Sequence, residues 1–156
     1  MTRNVEELYR EHAHAVFRRA RRLLRNDDDA RDVVQDVFLD IFRSPERFEA
    51  RSSASTYLYA AATHACLNRI RDGKNRTRLV AIESASWSAV APARGETCAL
   101  ACEILAGLSE DDAALAVYLY CDELTHEEIA ELCGYSRRHV GDLAKRLRLR
   151  ITERVA

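Results

Sequence analysis

The chain has 156 residues, with 24 Lys or Arg against 25 Asp or Glu and an apolar share of 47%. That length holds one ordinary domain or two small ones with packed cores, and a net charge of −1 argues against an indiscriminate nucleic-acid binder. No apolar run approaches the roughly 18 residues of a membrane span, and the polar start MTRNVEELYRE lacks the apolar segment of a signal peptide, so the expected location is the cytoplasm, without membrane insertion.

The pattern reads as helix almost throughout. Pro occurs only at positions 45 and 92, and no stretch alternates with period two. Helix one is expected from about Val5 to Arg25, capped by Asn4, with Leu8, Val16, Ala20, Leu23 and Leu24 at helical spacing. The Asp27–Asp28–Asp29 triplet ends it and caps the next helix, which runs to about Phe42. The pairs Val33–Val34, Val37–Phe38 and Ile41–Phe42 mark the buried stripe of that helix, with Asp32, Gln35, Asp36 and Asp40 on its other faces. Ser44 and Pro45 stop it, and residues 47–53 read as a loop containing Phe48. Helix three runs from about Thr56 to Arg71, capped by Ser52, Ser53 or Ser55 and ended by Gly73.

From Lys74 to Gly95 the periodicity is weak and Ser, Pro and Gly recur, which reads as an interdomain linker. The fold class is therefore all-α: two small helical domains, 1–78 and 97–156, joined by a linker at 79–96. Beyond it, Thr97 to Gly107 is a helix, and Ser109 with Asp112 opens another, box-like, as far as Cys121. Thr125 with Glu128 is a second capping box, opening a short helix with Ile129, Ala130 and Leu132 inside. Gly134 and Tyr135 turn the chain. Ser136 caps a last helix with Val140, Leu143, Leu147 and Ile151 on its core face.

Charge is segregated along this plan. Residues 110–131 carry acids and no Lys or Arg, whereas Arg137, Arg138, Lys145, Arg146, Arg148, Arg150 and Arg154 follow in the last helix. Short helix, Gly turn and basic helix form the layout of a helix-turn-helix, whose second helix enters the major groove. Ser136, Arg137, Arg138 and His139 stand at the N-terminus of that helix, where side chains and free amides meet bases and phosphates. Two further basic clusters, Arg18–Arg19–Arg21–Arg22–Arg25 and Arg69–Arg71–Lys74–Arg76–Arg78, suggest local phosphate contacts. Phe48, Tyr57 and Tyr59 near the second suit single-stranded DNA, because bases stack on rings while cations follow the backbone; partial burial in a core is the competing role for these tyrosines.

The run Asp29-Ala30-Arg31-Asp32-Val33-Val34-Gln35-Asp36-Val37-Phe38 resembles the D-A-x-D-[LV]-[VT]-Q-[ED]-x-F string in domain two of the extracytoplasmic-function sigma factors. Thr56-Tyr57-Leu58-Tyr59 resembles their T-W-L-Y. Leu124-Thr125-His126-Glu127-Glu128-Ile129-Ala130 resembles the L-[ST]-x-x-E-I-A of their domain four. The resemblance implies a promoter-recognition subunit. Its Asp32, Gln35, Asp36 and Asp40 dock on core RNA polymerase. Its Phe48, Tyr57, His64, Asn68, Arg69, Arg71 and Lys74 engage the melted minus-ten strand. Its Ser136, Arg137, Arg138, His139, Asp142, Lys145 and Arg146 read the minus-thirty-five duplex. It also implies an anti-sigma factor as partner. Three residues depart from the family pattern: Tyr57 replaces the usual Trp, His64 falls where Asn is frequent, and Asp142 stands where a small or basic residue is commoner. Asp142 would repel phosphate or accept from a cytosine amino group.

The five cysteines are odd in number and scattered, so they are expected as reduced thiols. Cys98 and Cys102 share a helix face and are weak metal candidates, but neither belongs to a Cys-x-x-Cys pair, and no metal is expected. Walker, Gly-x-Ser-x-Gly and His-Glu-x-x-His motifs are missing, so no enzyme, cofactor or small-molecule substrate is expected. The alternatives are a stand-alone helix-turn-helix regulator, which would bind a palindromic duplex without polymerase, and a protein-only adaptor.

Overall fold

The computed structural model describes residues 4–49, 53–73 and 92–156, with side chains except at Glu49 and 92–98, and every regular element among them is helical. In chain order these are α1 (Val5–Leu24), α2 (Asp27–Arg43), α3 (Pro45–Glu49), α4 (Ala54–Asp72), α5 (Pro92–Gly107), α6 (Glu110–Ala116), a π-helical turn (Val117–Cys121), α7 (His126–Cys133) and α8 (Arg137–Val155). The chain divides into two compact units, Met1–Cys66 and Leu67–Ala156. Residues 74–91, which hold most of the expected linker together with Lys74, Arg76 and Arg78, lie outside the described residues.

In the first unit α1 and α2 pack against each other. Leu8, Val16 and Ala20 meet Ala30, Val33, Val34, Val37, Phe38 and Ile41, and α4 adds Ala54, Leu58, Ala62 and Cys66. Each fully buried Leu, Ile or Val contributes about 1.5–3 kcal/mol relative to exposure. Asn4 caps α1, its Oδ1 accepting from the Glu6 amide at 3.2 Å. Arg25 ends α1 with a left-handed φ of 55°.

Several expectations are corrected here. The cap of α2 is Asn26, whose Oδ1 accepts from the Asp29 amide at 2.9 Å. The three aspartates sit inside the first turn and act on the helix dipole instead. Phe42 is 71% exposed rather than part of the buried stripe. One residue is about 100° of helix rotation, so Phe42 is turned well away from the buried Ile41. The expected loop after Ser44 is instead the short helix α3, which starts at Pro45, where the missing N–H leaves no bond unmade. Ser53 caps α4, its Oγ accepting from the Thr56 amide at 3.2 Å, so the helix begins at Ala54.

Arg19 is also corrected: it is 7% exposed and faces inward, away from any phosphate. Its Nη2 donates to Thr63 Oγ1 at 3.0 Å, and its guanidinium lies 4.2 Å from the centroid of the Tyr59 ring. Thr63 Oγ1 in turn donates to the Tyr59 carbonyl at 2.8 Å. Nearby, Arg21 pairs with Asp27 at 2.8 Å.

In the second unit the core is Leu108, Ala113 to Tyr118, Ile129, Val140, Ala144 and Leu147. Leu143 and Ile151 are only half-buried, and Ala144 takes the central place between Val140 and Leu147. The helix expected up to Cys121 widens into a π turn after Ala116, with the Asp122 amide bonding the Val117 carbonyl at 3.0 Å. Ser109 caps α6 through the Asp112 amide at 3.2 Å, but the box is half made. The Asp112 carboxylate turns to the Arg150 guanidinium. Arg154 similarly donates to the Gly107 carbonyl. These two contacts tie α8 back to the end of α5 and the start of α6.

Candidate nucleic-acid interface

The turn between α7 and α8 is built from caps. Glu128 Oε2 accepts from the Thr125 amide at 2.7 Å and from its hydroxyl at 2.9 Å. Thr125 Oγ1 accepts from the Glu128 amide at 3.2 Å, completing the box. These bonds hold the Glu128 carboxyl below its ordinary pKa, the backbone amide being the larger cause. Gly134 ends α7 at φ 71°, a left-handed conformation that a side chain would strain. Ser136 Oγ then accepts from the His139 amide at 3.2 Å.

This geometry presents Ser136, Arg137, Arg138 and His139 as an exposed N-terminus. Arg138, Asp142, Lys145 and Arg146 continue the solvent side of α8, while Val140, Ala144 and Leu147 hold the opposite side in the core. Arg137 stands apart: it turns toward α7 and reaches Glu127 at 3.5 Å, an exposed and weak pair. The Tyr135 ring packs edge-on to His139 with centroids 5.0 Å apart, a contact that the sequence pattern did not flag. The eight acids before α8 all precede this exposed basic surface in sequence; Asp112 pairs with Arg150, and Glu127 only weakly with Arg137.

On α4, Tyr57, His64, Asn68 and Arg71 recur seven, four and three residues apart and share one face. Asn68 is exposed, and Tyr57, His64 and Arg71 are half-buried. Arg69 lies off that face, and Arg71 donates to the Leu108 carbonyl at 3.2 Å. Phe48, on α3, meets Tyr57 edge-to-face with centroids 5.4 Å apart. Burial and the nearby Asp40 raise the Tyr57 pKa, with Arg47 opposing, so the phenol stays protonated. The structure thus gives Tyr57 and Tyr59 core contacts: Tyr57 packs against the hydrophobic core of the unit and Tyr59 stacks under Arg19.

The exposed face of α2 carries Asp32, Gln35, Asp36 and Asp40 together. Sequence reasoning missed its apolar component, Leu39 at 44% exposed and Phe42 at 71%. The signal was available in the helix rotation, which carries both away from Val33, Val37 and Ile41. Acids surrounding exposed apolar side chains suit a protein partner with apolar and basic groups.

Among the described residues no group of three His, Cys, Asp or Glu side chains stands where it could hold a metal ion. Cys102 is half-buried, while the Cys98 side chain lies outside the described residues. Desolvation and the nearby Asp111 raise the Cys133 thiol pKa, which disfavours its thiolate. No described helix is long and apolar enough to cross a membrane.

Comparison with known proteins places this geometry. Residues 8–77, spanning α1 to the end of α4, match the family described as sigma-70 region 2. The chain is 27% identical over 161 residues to the RNA polymerase sigma factor YlaC of Bacillus subtilis, covering 95% of this chain and 90% of that protein. It is 33% identical over 69 residues to the ECF RNA polymerase sigma factor SigM of Mycobacterium tuberculosis, covering 44% of this chain. It is 34% identical over 77 residues to the ECF RNA polymerase sigma factor SigE of Mycolicibacterium smegmatis, covering 49% of this chain. The matched stretch spans 35% of the length of SigM and 29% of that of SigE. Residues 8–77 thus resemble sigma-70 region 2, and the chain is similar to RNA polymerase sigma factors, two of them of the extracytoplasmic-function class.

Proposed function

We propose that this chain docks on core RNA polymerase and directs initiation at a particular class of promoters, acting in the cytoplasm and catalysing no reaction itself. The observation that carries this reading is the α2 face. Asp32, Gln35, Asp36 and Asp40 surround the exposed Leu39 and Phe42 inside the stretch that matches sigma-70 region 2. A solitary DNA-binding module has no need of such a face, and nothing in the comparisons supports the stand-alone regulator.

In this reading α3 and the Tyr57–His64–Asn68 face of α4 hold the melted minus-ten strand, and the basic residues Arg69, Arg71 and Lys74 raise the local positive charge that attracts its phosphates. Phe48 and Tyr57 pack edge-to-face with each other, and the Tyr57 phenol stays protonated, so this pair supplies an aromatic surface and a hydrogen-bond donor for an unpaired base. The N-terminus of α8, from Ser136 to Arg146, enters the duplex at the minus-thirty-five element. An anti-sigma factor is the proposed regulator, occluding the same docking faces.

Size-exclusion chromatography of the full chain with bacterial core RNA polymerase tests the proposal. Co-elution as a stoichiometric complex is the expected result. A folded chain, free of any co-purifying protein, that elutes apart from polymerase would overturn it.

A further inference from the structure

The solvent face of α8 carries a carboxylate in the middle of its cations. Arg138, Asp142 and Lys145 lie along one stripe, four and three residues apart, with His139 and Arg146 beside it. Asp142 is exposed and lies within about one turn of all four. None of the ion pairs or side-chain hydrogen bonds among the described residues involves it. A basic helix that served only to hold phosphates would bind better with any neutral residue at this place. The carboxylate is therefore a discriminating element, and the chemistry of base edges says against what.

Resting on the duplex-binding reading above, we propose that Asp142 is a specificity-determining residue that accepts a hydrogen bond from the exocyclic amino group of a cytosine in the major groove. Guanine offers O6 and N7 there, both acceptors, and thymine offers O4 and a methyl group, so a carboxylate is repelled by either. Adenine has an amino donor, but its N7 acceptor stands beside it and opposes a second carboxylate oxygen. Cytosine alone presents an amino donor with no acceptor on its own major-groove edge. The residue thus selects by attraction to cytosine, by repulsion from guanine and thymine, and by a weaker, partly opposed contact with adenine. Arg138, one turn earlier, and Lys145, nearly one turn later, offset its repulsion from the backbone.

The test uses the full chain with core polymerase to select from promoter duplexes randomised upstream of the start site, followed by sequencing of the bound pool. The wild type is expected to enrich cytosine at one position by roughly five- to tenfold over the other bases. Asp142→Ala should erase the preference at that position and keep the neighbouring ones. Asp142→Asn should move it toward adenine, because an amide pairs with adenine N6 and N7 together. The same motif from all three proteins, or a change spread evenly over every position, would show a merely solvated carboxylate and overturn the inference. A wild type that enriches no upstream motif with polymerase present would overturn the duplex-binding reading itself and the inference with it.

Discussion

Arg19 shows how far a single residue can depart from its sequence context. It lies in a run of five arginines that reads as a phosphate-binding patch, yet its guanidinium is buried between Thr63 and the Tyr59 ring. A fixed planar fork can bond a hydroxyl and stack on an aromatic ring at once, which an ammonium cannot do. Arg19→Met keeps the aliphatic stem and removes both interactions, and should lower the stability of the chain by about 2 kcal/mol. Thermal denaturation followed by circular dichroism would check this. An unchanged midpoint would mean that the bonds to Thr63 contribute nothing net. Arg18, beside it in the sequence, lies exposed on the same helix, and only the rotation of α1 separates the two.

At the scale of the element, the α7–turn–α8 unit is set by its caps as well as by its small core of Ile129, Val140 and Leu147. Replacing Thr125 by Ala removes the acceptor for the Glu128 amide and should cost about 1 kcal/mol. The Glu128 carboxyl is held below its ordinary pKa of 4.5, so its contribution is complete above that value and is lost as the pH falls through the lowered one. Glu128→Gln should therefore melt below the wild type at neutral pH, and the two melts should converge under acid. A gap that persisted in acid would place the effect of Glu128 outside its charge. Gly134 is a separate case. A Cβ there would meet nothing within 4 Å, so Gly134→Ala acts only through the left-handed φ of 71°.

At the scale of the whole molecule, two units with distinct exposed faces predict separable functions. Asp36→Arg should weaken binding to core polymerase roughly tenfold by placing a like charge against a basic partner. Duplex binding, which in this reading belongs to α8, should not change. Titration of labelled chain with polymerase and, separately, with promoter duplex would distinguish the two. Unchanged polymerase affinity would remove Asp36 from the docking face.

The sequence by itself determined the long helices, their caps at Asn4, Thr125 and Ser136, the helix-turn-helix and the polar face of α2, but neither the short helix α3 nor the π turn after Ala116. These are local properties, set by helical periodicity and by side chains that bond backbone amides within three residues. It also carried the resemblance to sigma factors, because the D-A-x-D string and the T-Y-L-Y string are contiguous. Only the tertiary structure decided which members of a charged or apolar run face inward. It buried Arg19 and exposed Phe42, turned the Asp112 carboxylate from its own helix cap to Arg150, and drew Tyr57 against Phe48. The contacts of Arg19, Asp112 and Tyr57 depend on partners between 9 and 44 residues away, and pattern within a single helix holds no information about a partner at that distance.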